Sequence, residues 1–414
     1  MGDESAATAN GQYYLLFQIS TVHRRDAERG RHKVVETVTG QEVAMPVSAL
    51  GARLNNFGII RLILAVIVCL GHLESILPRD YGILAWPSDY FGGNRAVDCF
   101  FVISGYLIFR SCRRSTSLRT YALKRARRLY PALFAAVLGS TILGAFITRL
   151  PLSAYLSLPT LRYIACNLCF ATFLAPTLPG VFEQNRDVFV NGPLWTLKIE
   201  LMFYCAVPAY LWLARRIRFE TLALVTYIAS VAFRLTMNTW AAAHPNGPWE
   251  ELGRQLPGQL SFFMAGALIE NNIKAFRQHV WWLLGAAAVM LLPGIYLLYP
   301  AALGIIVIWL CVVAPCVDFT SRFGDYSYGL YVTHFPIIQT FAALGILSAF
   351  PALRTVAALA ICAAVAVLSW HFVELPALQP APSRPLSGTV IPEEALSRAF
   401  KVPIKAAFDK SAPE

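Results

Sequence analysis

The sequence is short of charge: only 14% of its 414 residues are Asp, Glu, Lys or Arg, against a hydrophobic share of 57% and a mean hydropathy of +0.53. That balance excludes an ordinary soluble globular domain. The signatures of soluble enzymes are missing too. There is no P-loop, no dinucleotide glycine fingerprint, no Gly-x-Ser-x-Gly elbow and no His-Glu-x-x-His zinc helix. No secretory leader is expected, because Met1 to Leu50 is largely polar with mixed charge and the first apolar run has no small-residue cleavage site after it. The N-terminus is therefore expected to stay in the cytoplasm. Paired cysteines are lacking as well: the nine cysteines sit mostly in apolar stretches, where a thiol acts as a small hydrophobe. Cys166 and Cys169 alone have metal or redox spacing, with no second pair and no nearby histidine, so neither a disulfide framework nor a metal is expected.

What is present is a series of apolar runs separated by basic turns. The net charge of +11 falls between these runs, as the orientation rule for membrane helices requires, and is read as topology rather than as a nucleic-acid surface. The expected spans are Phe57–Leu77, Ala96–Cys112, about Pro131–Leu150, about Pro193–Ala214, Phe219–Ala243, Gln259–Asn271, Trp281–Leu298, Ala301–Val317, Tyr326–Leu347 and Leu353–Phe372. Leu161–Leu178, broken by Asn167 and Pro176, is read as re-entrant or interfacial, since counting it as a span would place Arg215, Arg216 and Arg218 outside. The sequence thus predicts an all-α polytopic protein of the inner membrane with about ten transmembrane helices. Both ends are expected in the cytoplasm: a polar N-terminal extension (1–53) and a C-terminal tail (377–414) flank one membrane domain (54–376). Within the extension, the runs Tyr13–Ile19 and Val34–Val43 suggest a small hairpin.

Several ionisable residues sit inside the apolar runs. In the first span, the eleven steps from Arg61 to His72 turn a helix through about 1100°, so both lie on one face roughly 16 Å apart along the axis. A structural reading remains open, with Arg61 reaching the surface and His72 satisfied in the core. Counting the rise from the inner surface puts His72 and Arg234 about 22 Å deep, and Glu200, counted from the outer side, falls at nearly the same level. Charges at that depth are expected to face one another or a wet cavity, whether as a functional group or as an ion pair of Glu200 with Lys198 or Arg234. A second set, Arg61, Arg125 and Arg128, is placed to attract an anion from the cytoplasm. The layout suits an enzyme that takes an anionic donor from inside and passes a group to an acceptor, with His72 handling the proton and Glu200 orienting it. A transporter or flippase of a glycan or an acyl donor is the alternative, because buried charges also mark transport paths.

The motifs resemble those of the acyltransferase-3 family of integral membrane O-acyltransferases, from about Leu54 to Pro376. Arg61 and His72 are similar to its basic residue and histidine with ten residues between them. Asp98 with Phe100-Phe101-Val102-Ile103-Ser104-Gly105-Tyr106 resembles its second-span motif, and Lys124-Arg125 with Arg128-Leu129-Tyr130-Pro131 its basic loop. Trp195-Thr196-Leu197 with Glu200 resembles its Trp-Ser-Leu-x-x-Glu signature; Tyr326 to Tyr331 with His334, and Val373-Glu374-Leu375-Pro376, resemble its last two helices. The resemblance implies transfer of an acyl group, usually acetyl from acetyl-CoA, to a hydroxyl of a cell-surface or exported glycan. It implies an essential His72, and donor binding by Arg61 and the basic loop. Ser104 and Gly105 read either as close-packing small residues or as a serine with a chemical role. His334 is either a donor ligand or a structural histidine, and Glu374 caps or pairs with an arginine. One departure stands out: Gly58 occupies the place where the family often has an aspartate that could position Arg61.

Overall fold

The computed structural model describes residues 33–38, 41–46, 55–77, 92–292, 294–317 and 319–379. The chain divides into two units, 1–54 and 55–414. In the first, β1 (Lys33–Val38) pairs antiparallel with β2 (Gln41–Pro46), with Lys33 opposite Pro46 and Val38 opposite Gln41. The hairpin thus includes the second β-prone run and extends past it to Pro46. Tyr13–Ile19, the loop at 78–91 and the tail from 380 onward lie outside the described residues.

The second unit is helical. Its longer helices are α1 (Phe57–Ile76), α2 (Gly93–Arg113), α3 (Leu118–Ile147), α4 (Leu158–Leu168), α5 (Trp195–Leu213), α6 (Phe219–Ala243), α7 (Leu256–Asn271), α8 (Val280–Met290), α9 (Tyr299–Val312), α10 (Ser327–Ala343) and α11 (Pro351–Ser369). Four described helices are long and apolar enough to cross a membrane: α1, α3, α6 and the stretch Pro351–Leu378 that begins with α11. Large apolar side chains such as Phe146, Leu158, Trp282 and Phe372 are exposed, as lipid-facing helices require.

Two expectations change. The arginine-rich segment is not a loop: Arg119 to Arg128 form the first turns of α3, whose N-terminus is capped by the Ser117 hydroxyl accepting from the Thr120 amide at 3.1 Å. The run expected as Trp281–Leu298 is helical only to Met290, and Gly294 beyond it takes φ +94°. The Leu161–Leu178 run overlaps α4, which at eleven residues and about 1.5 Å per residue is too short to cross a bilayer.

Packing places α2 at the centre. A Cβ at Gly105 would lie 1.9 Å from the Phe263 carbonyl oxygen of α7, and one at Gly266 would lie 2.0 Å from the Val102 carbonyl oxygen of α2. The two glycines let the helix backbones touch. Around that contact Phe203 stacks on Phe263 with ring centroids 3.8 Å apart, and Phe109 and Phe101 fill the sides. Asn56, buried just before α1, donates to the Leu310 and Pro315 carbonyls and accepts from the Val317 amide, all at 2.8–2.9 Å. That amide side chain fixes the start of α1 to the end of α9.

Candidate active site

The site is built from α1, α2, α3, α5 and α10. At the arginine-rich end of the bundle, Arg61 of α1 and Arg128 of α3 donate to the same oxygen of Asp325, at 2.7 and 2.8 Å. The Ser327 hydroxyl, at the start of α10, donates to the other oxygen. Burial pushes the Asp325 carboxyl up, but Arg61, Arg128 and the Ser327 contacts outweigh it and hold it below the usual carboxylate range. Its contribution to stability is thus present above the unfolded value of about 3.9 and is lost only as acidification passes the folded value. Asp325 was not singled out in the sequence, where it closes a polar turn. It supplies the carboxylate for Arg61 that Gly58 does not, and a side chain at Gly58 would collide with Thr320 at 2.2 Å.

Arg128 also reaches Glu374 at 3.5 Å. Glu374 sits in a π-helical turn, Trp370–Glu374, after α11, and accepts from the Ser369 hydroxyl at 3.1 Å. Gly329 leaves the space, because a Cβ there would come within 2.9 Å of the Glu374 carboxylate.

These arginines line two neighbouring spaces. A vestibule of about 530 Å³ is lined by Arg61, Arg110, Arg114, Lys124, Arg125, Arg127 and Arg128, with Asp325 the acidic group on its wall. Arg61, Leu107, Arg125 and Arg128 also line a narrower cavity of about 110 Å³ that runs inward past Ser104, Thr196, Glu200, Tyr204, Tyr328 and Tyr331. Glu200 accepts a hydrogen bond from the Tyr204 hydroxyl. The Arg61 and Arg125 Nε groups are buried there without hydrogen-bond partners. Unmet buried N–H donors beside a cluster of guanidinium groups are what an anion would satisfy.

Toward the other end of α1, His72 Nδ1 lies 3.0 Å from His334 Nε2, and His334 Nδ1 lies 2.9 Å from the Leu330 carbonyl oxygen. A carbonyl can only accept, so His334 carries its proton on Nδ1 and accepts at Nε2 from His72 Nδ1–H. With both rings neutral, the lone pair of His72 is then on Nε2. His334 is fully buried, whereas His72 is partly exposed, so His72 is the member of the pair that a substrate can reach. Tyr331 links the pair to the narrow cavity: it lies on the cavity wall, with its ring 6.2 Å from that of His334 and its hydroxyl 2.8 Å from that of Thr196.

The structure does not bring His72, Glu200 and Arg234 together. Glu200 faces the arginines, His72 faces His334, and Arg234 pairs through two nitrogens with Asp98 at 3.0 and 3.2 Å on the other side of α2. Depth along a helix was readable, but the direction each residue faces was not. Lys198 lies 5.1 Å from the ring centroid of Phe173, so neither pairing expected for Glu200 forms. Ser104 lines the narrow cavity, while Gly105 makes the close helix contact. Trp195 packs against the apolar core at the start of α5, beside Thr196 on the cavity wall. His334, open between two readings, is a hydrogen-bond partner of His72 and lines neither arginine-bearing space. Among the described residues no group of three or more His, Cys, Asp or Glu is arranged to hold a metal.

A family model described as an acyltransferase domain matches residues 54–373. The chain belongs to the acyltransferase-3 family. This acyltransferase is 26% identical over 358 residues to nodulation protein 10 of Rhizobium leguminosarum bv. viciae, covering 78% of the chain and 93% of the relative. It is 32% identical over 155 residues to the O-acetyl transferase of Shigella phage Sf6, covering 36% of the chain and 44% of the relative. It is also 32% identical over 147 residues to the exopolysaccharide production protein ExoZ of Rhizobium meliloti, covering 34% of the chain and 43% of the relative. No solved structure matches the chain. The protein is therefore an integral membrane acyltransferase.

In this acyltransferase, Asp325→Ala is expected to lower stability by about 3 kcal/mol, because two partly buried guanidinium groups lose their shared counter-charge. Thermal unfolding of the detergent-solubilised protein measures the effect. A midpoint equal to that of the wild type would show that the arginines do not depend on the carboxylate.

Proposed function

We propose that the protein is an O-acetyltransferase that moves acetyl from acetyl-CoA to a hydroxyl of a cell-surface or exported glycan. The observation that carries this reading is the arrangement along α1, with an arginine vestibule at one end and the His72–His334 pair toward the other. CoA is a polyanion, and the vestibule offers it seven basic side chains. The narrow cavity continues from them toward Tyr331 and so toward the histidines. The names of two relatives, an O-acetyl transferase and an exopolysaccharide production protein, support acetyl as the group and a polysaccharide as the acceptor.

In the reaction so read, His72 Nε2 removes the proton from the acceptor hydroxyl as its oxygen attacks the thioester carbonyl. The carbon–sulfur bond breaks, the CoA thiolate leaves, and the proton held on His72 returns to that sulfur. His334 accepts from His72 Nδ1–H and holds the ring in the tautomer this needs, so it acts as a positioning residue. Arg61, Arg125 and Arg128 bind the donor. About ten spans in the inner membrane, with both termini in the cytoplasm, would open the vestibule to the cytoplasmic CoA pool, and the basic residues at that end support this orientation.

The direct test is label transfer from radioactive acetyl-CoA to exported glycan by the purified protein in nanodiscs. Uptake of glycan into vesicles without any acetyl transfer would replace this reading with transport. For the positioning role, His334→Phe is expected to lower kcat by about 10²-fold with little change in the KM for acetyl-CoA. His334→Gln, whose side-chain oxygen can accept from His72, is expected to recover part of the loss. Equal loss in both variants, or a change confined to KM, would contradict it.

A further inference from the structure

The buried Asp98–Arg234 pair has no part in the reaction described above. Along α2, Val97, Phe100, Phe101 and Ser104 face the narrow cavity, whereas Asn94, Arg95 and Asp98 face a separate cavity of about 580 Å³. That volume falls within the range of about 300–1,000 Å³ found for small-molecule sites. Its walls come from α6, α7 and the segment leading into α9, and at its base lies the Asp98–Arg234 pair.

We propose that this cavity binds a neutral sugar unit of the acceptor, away from the unit that is acetylated. The assignment rests on the acyl-transfer reading and adds a subsite to it. The first argument is charge. Asp98 takes two of the five N–H donors of Arg234 and Gln259 a third at 3.5 Å, so Arg234 has its counter-charge in place, with Arg95 on the same cavity wall and donors and carboxylate lone pairs near the cavity. Such a pair offers neighbouring hydroxyl groups both N–H donors and carboxylate acceptors, in the spacing of a planar fork.

The second argument is the aromatic wall. Tyr296 and Tyr299 line the cavity, and Phe262 lies beneath Arg234 with the guanidinium 4.8 Å from its ring centroid. Flat apolar faces bordered by hydrogen-bonding groups fit the C–H face and polar rim of a pyranose. The third argument is position. Gly93, beside the cavity residues Asn94 and Arg95, packs on Gly71, where a Cβ would lie 3.5 Å from the Gly93 nitrogen. Gly71 directly precedes His72. The cavity and the histidine thus stand at the same end of the bundle, on opposite sides of α2, away from the arginine vestibule.

Saturation-transfer NMR on the full chain in phosphatidylcholine nanodiscs tests this, with cellobiose, maltose, lactose and diacetylchitobiose as probes and glycerol 3-phosphate as the headgroup competitor. At least one disaccharide is expected to receive saturation at its ring C–H protons. Tyr296→Ala, at an exposed position on the rim, should weaken that binding by about two- to tenfold, and Tyr296→Phe should restore it. Asp98→Asn should weaken it by about tenfold or more. His72→Ala should keep the saccharide signal while acetyl transfer is lost, which separates failure of the subsite from failure of the reaction assigned to the protein. The proposal is overturned if no disaccharide gives a signal or if the signal ignores both Tyr296→Ala and Asp98→Asn. It is also overturned if glycerol 3-phosphate displaces the sugar, which would make the cavity a lipid headgroup site.

Discussion

Replacing His72 with alanine is expected to reduce acetyl transfer by about 10³-fold, almost entirely in kcat. The magnitude follows from the role: a positioned general base contributes about 10² to 10⁴, and this base has its lone pair directed by a second histidine. The KM for acetyl-CoA is expected to stay within about twofold, because the donor's charges are met at Arg61, roughly 16 Å along the helix from His72. His72 is partly exposed, so the truncation removes little packing and the variant should fold. Steady-state kinetics of the purified variant measure both parameters. A kcat within about threefold of the wild type would remove His72 from the chemistry.

Gly105→Val is expected to destabilise the bundle by at least about 3 kcal/mol, and in practice to abolish recovery of folded protein. The cause is steric and local. Even a single Cβ at Gly105 would come within 1.9 Å of a backbone oxygen of Phe263, which cannot rotate away as a flexible side chain would. Relief requires α2 and α7 to separate, which also unpacks the stacked pair Phe203 and Phe263. The adjacent change, Ser104→Ala, is expected to alter stability by no more than about 0.5 kcal/mol, because Ser104 faces the cavity. Fluorescence-detected size exclusion after a heat step compares the two. Similar melting of both variants would contradict the backbone contact.

The sequence made some of this legible and hid the rest for physical reasons. An uninterrupted apolar run announced α1, and the rise of a helix placed Arg61 and His72 on one face at two depths. The partners of these residues were not legible, because a depth gives no facing direction: Arg61 meets Asp325 and His72 meets His334 across separations of more than 260 positions. The arginines from Arg119 to Arg128 looked like a loop, since positive charge marks where a helix leaves the membrane and not where it ends. Glu200 and Arg234 fell at one level by counting, yet belong to different cavities. The family motifs carried more than the single residues did: Asp98, Ser104, Glu200, His334 and Glu374 each line a cavity or pair with another charged or catalytic-candidate side chain. Asp325 alone among the central charges gave no signal, because an aspartate in a polar turn is ordinary until its arginines are known.

In the proposed reaction, donor and acceptor approach opposite ends of α1, with the acetyl group passing between the arginine cluster and His72. The most direct measurement is a cryo-electron microscopy structure of the protein in nanodiscs saturated with CoA. The account predicts phosphate density in the vestibule against Arg110, Arg114, Arg125 and Arg127, with the pantetheine arm entering the narrow cavity past Arg61 and Glu200 and its sulfur directed toward His72. CoA bound instead in the Asp98–Arg234 cavity, or with its sulfur directed away from His72, would contradict it.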